Sequence, residues 1–192
     1  MILPCETLPP PGPAADFAAR MQAMIPVLTT ERLTLRALKI EDFPLVAEIA
    51  TGPRSAGIGG PMSRDDAWYE FAQMNMTWLV RGHGYWAVTE TASDTLFGFA
   101  GIGFEPGDRA PELGYFFAAD AEGKGYAAEA VARARDWGYG DAGLATLESY
   151  IFTGNARSIA LAERLGAVRT GEMTYEDETL FVYRHPRPGA QP

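Results

Sequence analysis

The fold is decided by the stretch Glu112-Leu113-Gly114-Tyr115-Phe116-Phe117, followed after a short polar bend by Glu122-Gly123-Lys124-Gly125-Tyr126-Ala127-Ala128-Glu129-Ala130. The first run predicts an apolar strand, and the second predicts a glycine-rich turn that opens an alanine-rich helix. The first N–H groups of a helix have no partner within it, and the helix dipole places roughly half a positive charge there. Glycine lacks a Cβ, so an anion can approach the backbone closely. The turn therefore predicts a site for a phosphate or pyrophosphate.

Two other interpretations of the glycine turn are open. A tight strand-to-helix connection needs glycine for its shape alone. The pattern Gly123-x-Gly125-x-x-Ala128 also fits the turn of dinucleotide-binding folds, with Glu148 at the place of a ribose-binding acid. Against the dinucleotide interpretation, residues 118–122 separate the apolar run from the first glycine, and only one further βα repeat fits in the remaining chain. A P-loop is excluded because no Ser or Thr follows a Gly-Lys pair.

The composition indicates one soluble globular domain. The 192 residues are 47% apolar and 21% charged. A net charge of −9 argues against nucleic-acid binding and favours a cationic partner. The single cysteine, Cys5, permits no internal disulfide and fits a reducing compartment, so a cytoplasmic location is expected. His83 and His185 lie far apart and give no metal-ligand spacing, so no metal is expected. No apolar run approaches membrane-spanning length, so no membrane partner is expected.

Hydrophobic periodicity predicts a mixed α/β domain preceded by an appendage. Residues 1–24 contain a cluster of prolines and little periodicity, and they are predicted to be that appendage. The domain is predicted to span residues 25–186, with a tail over residues 187–192. Its predicted elements are a strand over 30–36, a helix over 41–50, a loop over 52–61, a helix from 63, a hairpin of strands over 85–89 and 96–104, a strand over 112–117, a helix to 139, a strand over 147–152, a helix over 155–167 and a strand over 180–184.

The glycine turn resembles the acetyl-CoA motif of the GNAT superfamily of N-acetyltransferases, Q/R-x-x-G-x-G/A. Gly125 and Ala127 match this motif, whereas Glu122 stands where glutamine or arginine is usual. Residues 155–167 resemble a second family motif, N-x-x-S followed by a helix that ends in Leu-Gly-Ala. The two motifs occur in family order within residues 30–184. The residues that flank the turn resemble the branch that acetylates ribosomal-protein N-termini, the RimJ/RimL-like enzymes.

The resemblance implies an α/β (α+β) architecture, the GNAT acyl-CoA N-acyltransferase fold. Its sheet is mostly antiparallel and splits at its centre, where the strand before the glycine turn and the strand before Asn155 run parallel and splay apart. In the family, pantetheine lies in that gap and presents the thioester to the acceptor. The resemblance assigns the following residues to acetyl-CoA binding: Phe116, Phe117, Ala118, Glu122, Gly123, Lys124, Gly125, Tyr126, Ala127, Asn155 and Ser158.

Catalytic roles also follow from the resemblance. Glu112 lies on the strand that faces the acceptor and is predicted to be the general base, with Glu148 as a second candidate. A backbone N–H near residues 116–117 is predicted to bind the thioester oxygen. Many family members carry a tyrosine seven residues after the Asn. Ala162 stands at that position here, so Ser158 is predicted to assist the departing thiolate.

The implied function is transfer of an acetyl group from acetyl-CoA to a primary amine by direct attack in a ternary complex. A protein N-terminal α-amine and a small-molecule amine are both open as acceptors, and so are a monomer and a homodimer. An α-amine, with a pKa of about 8, needs less help from a base than a lysine side chain at about 10.4. A CoA-binding sensor without catalysis, favoured by Ala162, is an alternative. A dinucleotide-binding protein is the other.

Overall fold

The computed structural model describes residues 3–175 and 177–189. Within these ranges, helices flank one eight-stranded sheet, which confirms the predicted α/β fold. The helices are α1 (Pro4–Thr7), α2 (Pro13–Ala23), α3 (Phe43–Thr51), α4 (Arg64–Arg81), α5 (Tyr126–Tyr139) and α6 (Ala156–Arg164). The strands are β1 (Leu28–Thr29), β2 (Leu33–Arg36), β3 (Tyr85–Glu90), β4 (Leu96–Gly103), β5 (Glu112–Phe117), β6 (Glu148–Phe152), β7 (Val168–Tyr175) and β8 (Glu178–Arg184). Short 3₁₀ helices span Ile40–Asp42, Pro53–Ile58 and Ala119–Ala121. No helix in the described ranges is both long and apolar enough to cross a membrane.

The sheet has the strand order β1-β2-β3-β4-β5-β6-β8-β7. Its neighbouring strands are antiparallel except β5 and β6, which run parallel. The β5–β6 ladder consists of one residue pair, Glu112 opposite Glu148, after which the two strands separate. The prediction of a mostly antiparallel sheet that splits at its centre is confirmed.

Beyond this pair, the backbone of β5 faces an open gap. Glu148 N donates to Pro111 O (3.1 Å), and Ser149 Oγ donates to Leu113 O (2.6 Å). Backbone groups point alternately to the two sides of a strand, so the odd-numbered residues of β5 direct their N–H groups toward β6. The amides of Tyr115 and Phe117 therefore face the gap.

Helices cover both faces of the sheet. On one face, α5 packs Ala134 and Trp137 over the sheet, and the rings of Trp137 and Trp86 lie 5.0 Å apart. On the other face, α3 and α4 bury Phe43 in a cluster that includes Phe99 of β4. Burying one large apolar side chain stabilises a fold by about 1.5–3 kcal/mol, so these layers hold β5 in place. The gap beside β5 can then open toward both faces without collapse of the sheet.

The strands at both ends of the domain differ from the prediction. β7, Val168–Tyr175, lies where no strand is predicted, because its side chains are mostly exposed and leave no apolar alternation to detect. It pairs with β8, which begins two residues before the predicted strand over residues 180–184. Of the predicted first strand over residues 30–36, only the part from Leu33 is extended, as β2; the chain turns before it, where Thr30 N donates to Leu33 O (2.9 Å), and β1 precedes that turn.

The N-terminal segment contacts the domain through an ion pair. α1 buries Glu6, which is 3% exposed, against Arg64 in the first turn of α4. Two hydrogen bonds of 2.9 and 2.7 Å join the two side chains, and the Arg64 guanidinium lowers the pKa of Glu6. Gln22 Nε2 of α2 also donates to Leu38 O (3.2 Å). These contacts join sequence positions too distant for periodicity to reveal.

Candidate functional site

The glycine turn forms one wall of a cleft of about 1720 Å³, which we name the turn cleft. Its other walls are residues 52–60 and α6. Gly123 and Gly125 adopt φ angles of 72° and 82°, a left-handed conformation that glycine adopts without strain. Gly125 is the N-cap of α5, so the unpaired amides of the first helical turn and the positive end of the helix dipole lie at the cleft. The geometry suits an anion.

Most residues predicted to bind acetyl-CoA line the turn cleft. These are Phe116, Phe117, Glu122, Gly123, Gly125, Tyr126, Ala127, Asn155 and Ser158. The other two, Ala118 and Lys124, are not among its lining residues. Ala118 is buried. Lys124 is exposed, and its carbonyl oxygen accepts a hydrogen bond from Arg32.

Arg32, which sequence patterns did not indicate, fixes the shape of the turn. Its Nη1 donates to Lys124 O (3.0 Å), and its Nε donates to Glu129 Oε2 (2.8 Å) on α5. Thr30 Oγ1 donates to the other Glu129 oxygen (2.6 Å). The guanidinium lies 4.7 Å from the centre of the Tyr126 ring, an attractive cation–π geometry. The start of the domain thus holds the glycine turn from outside the cleft.

Two arginines form ion pairs with Glu122, the acidic residue that stands where the family motif has glutamine or arginine. The Glu122 carboxylate forms ion pairs with Arg54, from the 3₁₀ helix Pro53–Ile58, and with Arg157 of α6 at 2.6 Å. Gly57 of the same 3₁₀ helix packs directly against the Asn155 side chain, and a Cβ at position 57 would lie 2.5 Å from Asn155 Nδ2. The two guanidinium groups exceed the Glu122 carboxylate by one positive charge, and both come from residues distant in sequence from the motif.

A second cavity, of about 510 Å³, opens beside α4, and we name it the acidic cavity. Side chains alternate along a strand, so Glu112 points to the α4 face of β5 and Tyr115 points to the α5 face. The acidic cavity and the turn cleft nevertheless share lining residues, among them Tyr115, Asn155 and Ser158. The two spaces therefore adjoin at the β5–β6 gap.

A hydrogen-bond chain stands where the two spaces meet. Tyr115 Oη donates to Ser158 Oγ (2.9 Å). Ser158 N in turn donates to Asn155 Oδ1 (3.2 Å), so the side chain of Asn155 caps α6. Tyr115 was not predicted to belong to the site.

Four carboxylates line the acidic cavity: Glu70, Glu105, Asp108 and Glu112. In the described part of the chain, none of them forms a salt bridge with a lysine or arginine. Desolvation raises the pKa of all four, and the pKa of Glu105 reaches about 7. All four charges also act on the hydroxyl of Tyr85, whose pKa is raised, first by burial. A cationic ligand in the cavity would lower these pKa values and favour ionisation of the carboxyls.

Glu112 and Glu148, the two candidate bases, stand in different environments. Burial, followed by the charges of Asp108 and Glu105, raises the pKa of Glu112 to about 8. Its Oε1 accepts a long hydrogen bond from Tyr150 N (3.4 Å). The Glu148 carboxylate instead is 4% exposed and pairs with Arg184 at 2.8 Å. Glu112 thus lines the acidic cavity without a salt bridge among the described residues, whereas Glu148 is held in an ion pair and is not among the lining residues.

Known proteins share this architecture. A family model described as an acetyltransferase (GNAT) domain matches residues 32–168. An acetyltransferase from Agrobacterium tumefaciens is 38% identical, with a TM-score of 0.80 over 85% of this chain and 95% of its own. The ribosomal-protein-S5-alanine acetyltransferase of Vibrio fischeri is 18% identical, with a TM-score of 0.65 over 87% and 100% of the two chains. The ribosomal-protein α-N-acetyltransferase RimL in complex with coenzyme A is 14% identical, with a TM-score of 0.70 over 86% and 100%. Because sequence identity to the last two proteins is low, these two similarities show a shared fold only.

Proposed function

The chain belongs to the GNAT family of acetyl-CoA-dependent N-acetyltransferases, and from this premise we propose that it acetylates a cationic primary amine in a ternary complex. The observation that carries the proposal is the meeting of the turn cleft and the acidic cavity at the β5–β6 gap. Two substrates, one in each space, would bring their reactive groups together there. Direct attack then needs no covalent enzyme intermediate.

The turn cleft has the features that coenzyme A requires. The N-terminus of α5 and the glycine backbone would hold the pyrophosphate, and Arg54 and Arg157 add positive charge nearby. Acetyl-CoA supplies an acetyl thioester, which an amine can attack. The amide of Phe117 or Tyr115 faces the gap and would donate to the thioester oxygen as negative charge develops. The amide of Phe116, the other predicted donor, faces β4 instead.

The acidic cavity would bind the acceptor as an ammonium ion. Opposite charge near Glu112 lowers the pKa of that carboxyl below its value in the empty cavity, so it ionises beside the ammonium. Glu112 would then take one proton and leave a neutral amine. Burial, which raises the pKa of Glu112, makes its carboxylate a stronger base than that of an ordinary glutamate.

The acceptor class follows from the charge of the cavity. The two ribosomal-protein acetyltransferases among the structural neighbours act on protein amines, which makes an N-terminal α-amine one candidate. An acceptor with a second positive charge close to the reacting amine would favour ionisation of the cavity carboxyls, none of which has a salt-bridge partner among the described residues. A peptide with a basic residue near its N-terminus and a small diamine both meet this requirement.

A panel of amines tests the proposal. Purified enzyme is given acetyl-CoA and one acceptor at a time: a neutral peptide, the same peptide with lysine at its second position, a monoamine, or a diamine of matched length. Release of CoA thiol gives the rate, and mass spectrometry identifies the acetylated product. We expect the dicationic member of each pair to show the lower KM. A rate of thiol release that no amine raises above the amine-free control would contradict the proposal.

A further inference from the structure

The hydroxyls of Tyr115 and Ser158 form a directed pair at the gap. Tyr115 Oη donates to Ser158 Oγ (2.9 Å), which leaves the Ser158 proton free for another acceptor. Serine hydroxyls inside helices commonly donate back to a carbonyl of the preceding turn. In the described ranges, the Ser158 hydroxyl forms no such bond. It is available to a group in the gap.

Both partners are held in place. Ser158 lies in the first turn of α6, where Asn155 Oδ1 accepts its amide (3.2 Å). Tyr115 stands on β5, and its ring packs 6.4 Å from that of Phe117. Burial raises the pKa of Tyr115, so the phenol keeps its proton and remains a donor at neutral pH. A hydroxyl that accepts one hydrogen bond becomes a stronger donor in the next.

We propose that Tyr115 is a positioning residue that fixes and polarises the Ser158 hydroxyl as a hydrogen-bond donor to the departing sulfur of CoA. The inference rests on the proposed function. During transfer the N–C bond forms, the C–S bond breaks, and its electron pair goes to sulfur. Glu112 takes the amine proton, while Ser158 and Tyr115 keep theirs and stabilise the thiolate by hydrogen bonding. Tyr115 lies on β5, whereas many family members carry a tyrosine on the helix, at the position of Ala162 in this chain. Tyr115 thus acts from the opposite side of the gap.

The thiol pKa of enzyme-bound CoA tests this inference separately from turnover. Free thiols ionise near pH 8.5, and a donor to the thiolate lowers that value. We expect ultraviolet titration of the binary complex to show a lowered thiol pKa in the wild type. Tyr115→Phe should raise it by roughly one pH unit, a tenfold loss of thiolate at a given pH, and Ser158→Ala by at least as much. Tyr183→Phe is the matched control, because its hydroxyl bonds Glu163 of α6 (3.0 Å) outside both cavities.

The outcomes separate the two proposals. Affinity for desulfo-CoA, which lacks the sulfur, should be unchanged in Tyr115→Phe, and kcat should fall about tenfold while KM for acetyl-CoA stays constant. An unchanged thiol pKa in Tyr115→Phe, with a raised one in Ser158→Ala, would overturn the role of Tyr115 and leave the proposed function standing. A wild type that binds neither CoA nor desulfo-CoA would overturn both. Thermal melting of each variant confirms that it is folded.

Discussion

Replacing Glu112 with glutamine should stabilise the protein while it impairs catalysis. The pKa of Glu112 is raised from 4.5 in the unfolded chain to about 8 in the fold. A glutamate whose pKa is raised on folding stabilises the fold below the unfolded value, and this contribution is lost as the pH rises through the folded value. Wild-type stability should therefore fall between about pH 4.5 and about pH 8, whereas Glu112→Gln removes this loss.

The magnitude follows from the same shift. Raising a pKa from 4.5 to about 8 corresponds to about 5 kcal/mol, at about 1.4 kcal/mol per unit. Asp108 and Glu105 contribute to the shift and also change their protonation, so we expect about 1–3 kcal/mol of this to appear as a difference in unfolding free energy. For a chain of this length that is roughly 3–10 °C in Tm at pH 8, and much less at pH 5.

Calorimetry of the wild type and Glu112→Gln across this pH range gives the comparison. Glu31→Gln is the control, because that carboxylate is exposed and lies outside both cavities. In parallel, kcat should fall by roughly 10²–10⁴ at neutral pH and recover at high pH, where the amine loses its proton unaided. A Tm difference that does not grow with pH would refute the raised pKa. Equal activity at every pH would refute the role of Glu112 as base.

Three further predictions concern the turn cleft and the N-terminal segment. Acetyl-CoA at a hundredfold excess over Kd should add about 2.7 kcal/mol to the free energy of unfolding and raise Tm by roughly 5–10 °C, whereas NAD should not change Tm. Gly125→Val should lose most of the shift that acetyl-CoA causes, because valine is strained at a φ of 82°. Glu122→Gln should tighten CoA binding a few-fold at low salt, measured by calorimetric titration, because Arg54 and Arg157 then face the phosphates; weaker binding would contradict this. Deletion of residues 1–23 should lower Tm, because the ion pair of Glu6 with Arg64 is lost, but leave kcat/KM within tenfold; a larger fall would place the segment in the site.

The parts of the site that the sequence predicts are those built by local chemistry. The glycine turn with Gly123 and Gly125 depends on residues within a few positions of one another, and it lies where the first family motif occurs. Fold class was predictable for the same reason, because strand and helix periods are local.

The rest of the site depends on contacts between distant positions. Arg32 reaches Lys124 across 92 positions, and Tyr115 meets Ser158 across 43. No period or motif relates such residues, because their proximity arises only when the sheet and helices have packed. The sequence did not predict β7 for a different reason. This strand lies at the edge of the sheet and is mostly exposed, so it lacks the alternation of apolar and polar residues that burial of one face imposes.

The single β5–β6 residue pair divides the backbone hydrogen bonding of the sheet into two blocks, β1–β5 and β6–β8–β7. Besides that pair, the hydrogen bonds that cross the seam are mostly made by side chains, among them Ser149 Oγ to Leu113 O and the amides of Arg109 and Ala110 to Tyr150 Oη (2.9 and 3.0 Å). Such a seam is where sub-global opening concentrates, so the C-terminal block should exchange its amide hydrogens as one cooperative unit. A ligand bound in the gap would contact both blocks and hold them together. Its binding should therefore slow amide hydrogen exchange throughout β6 and β8, including at residues that it does not contact.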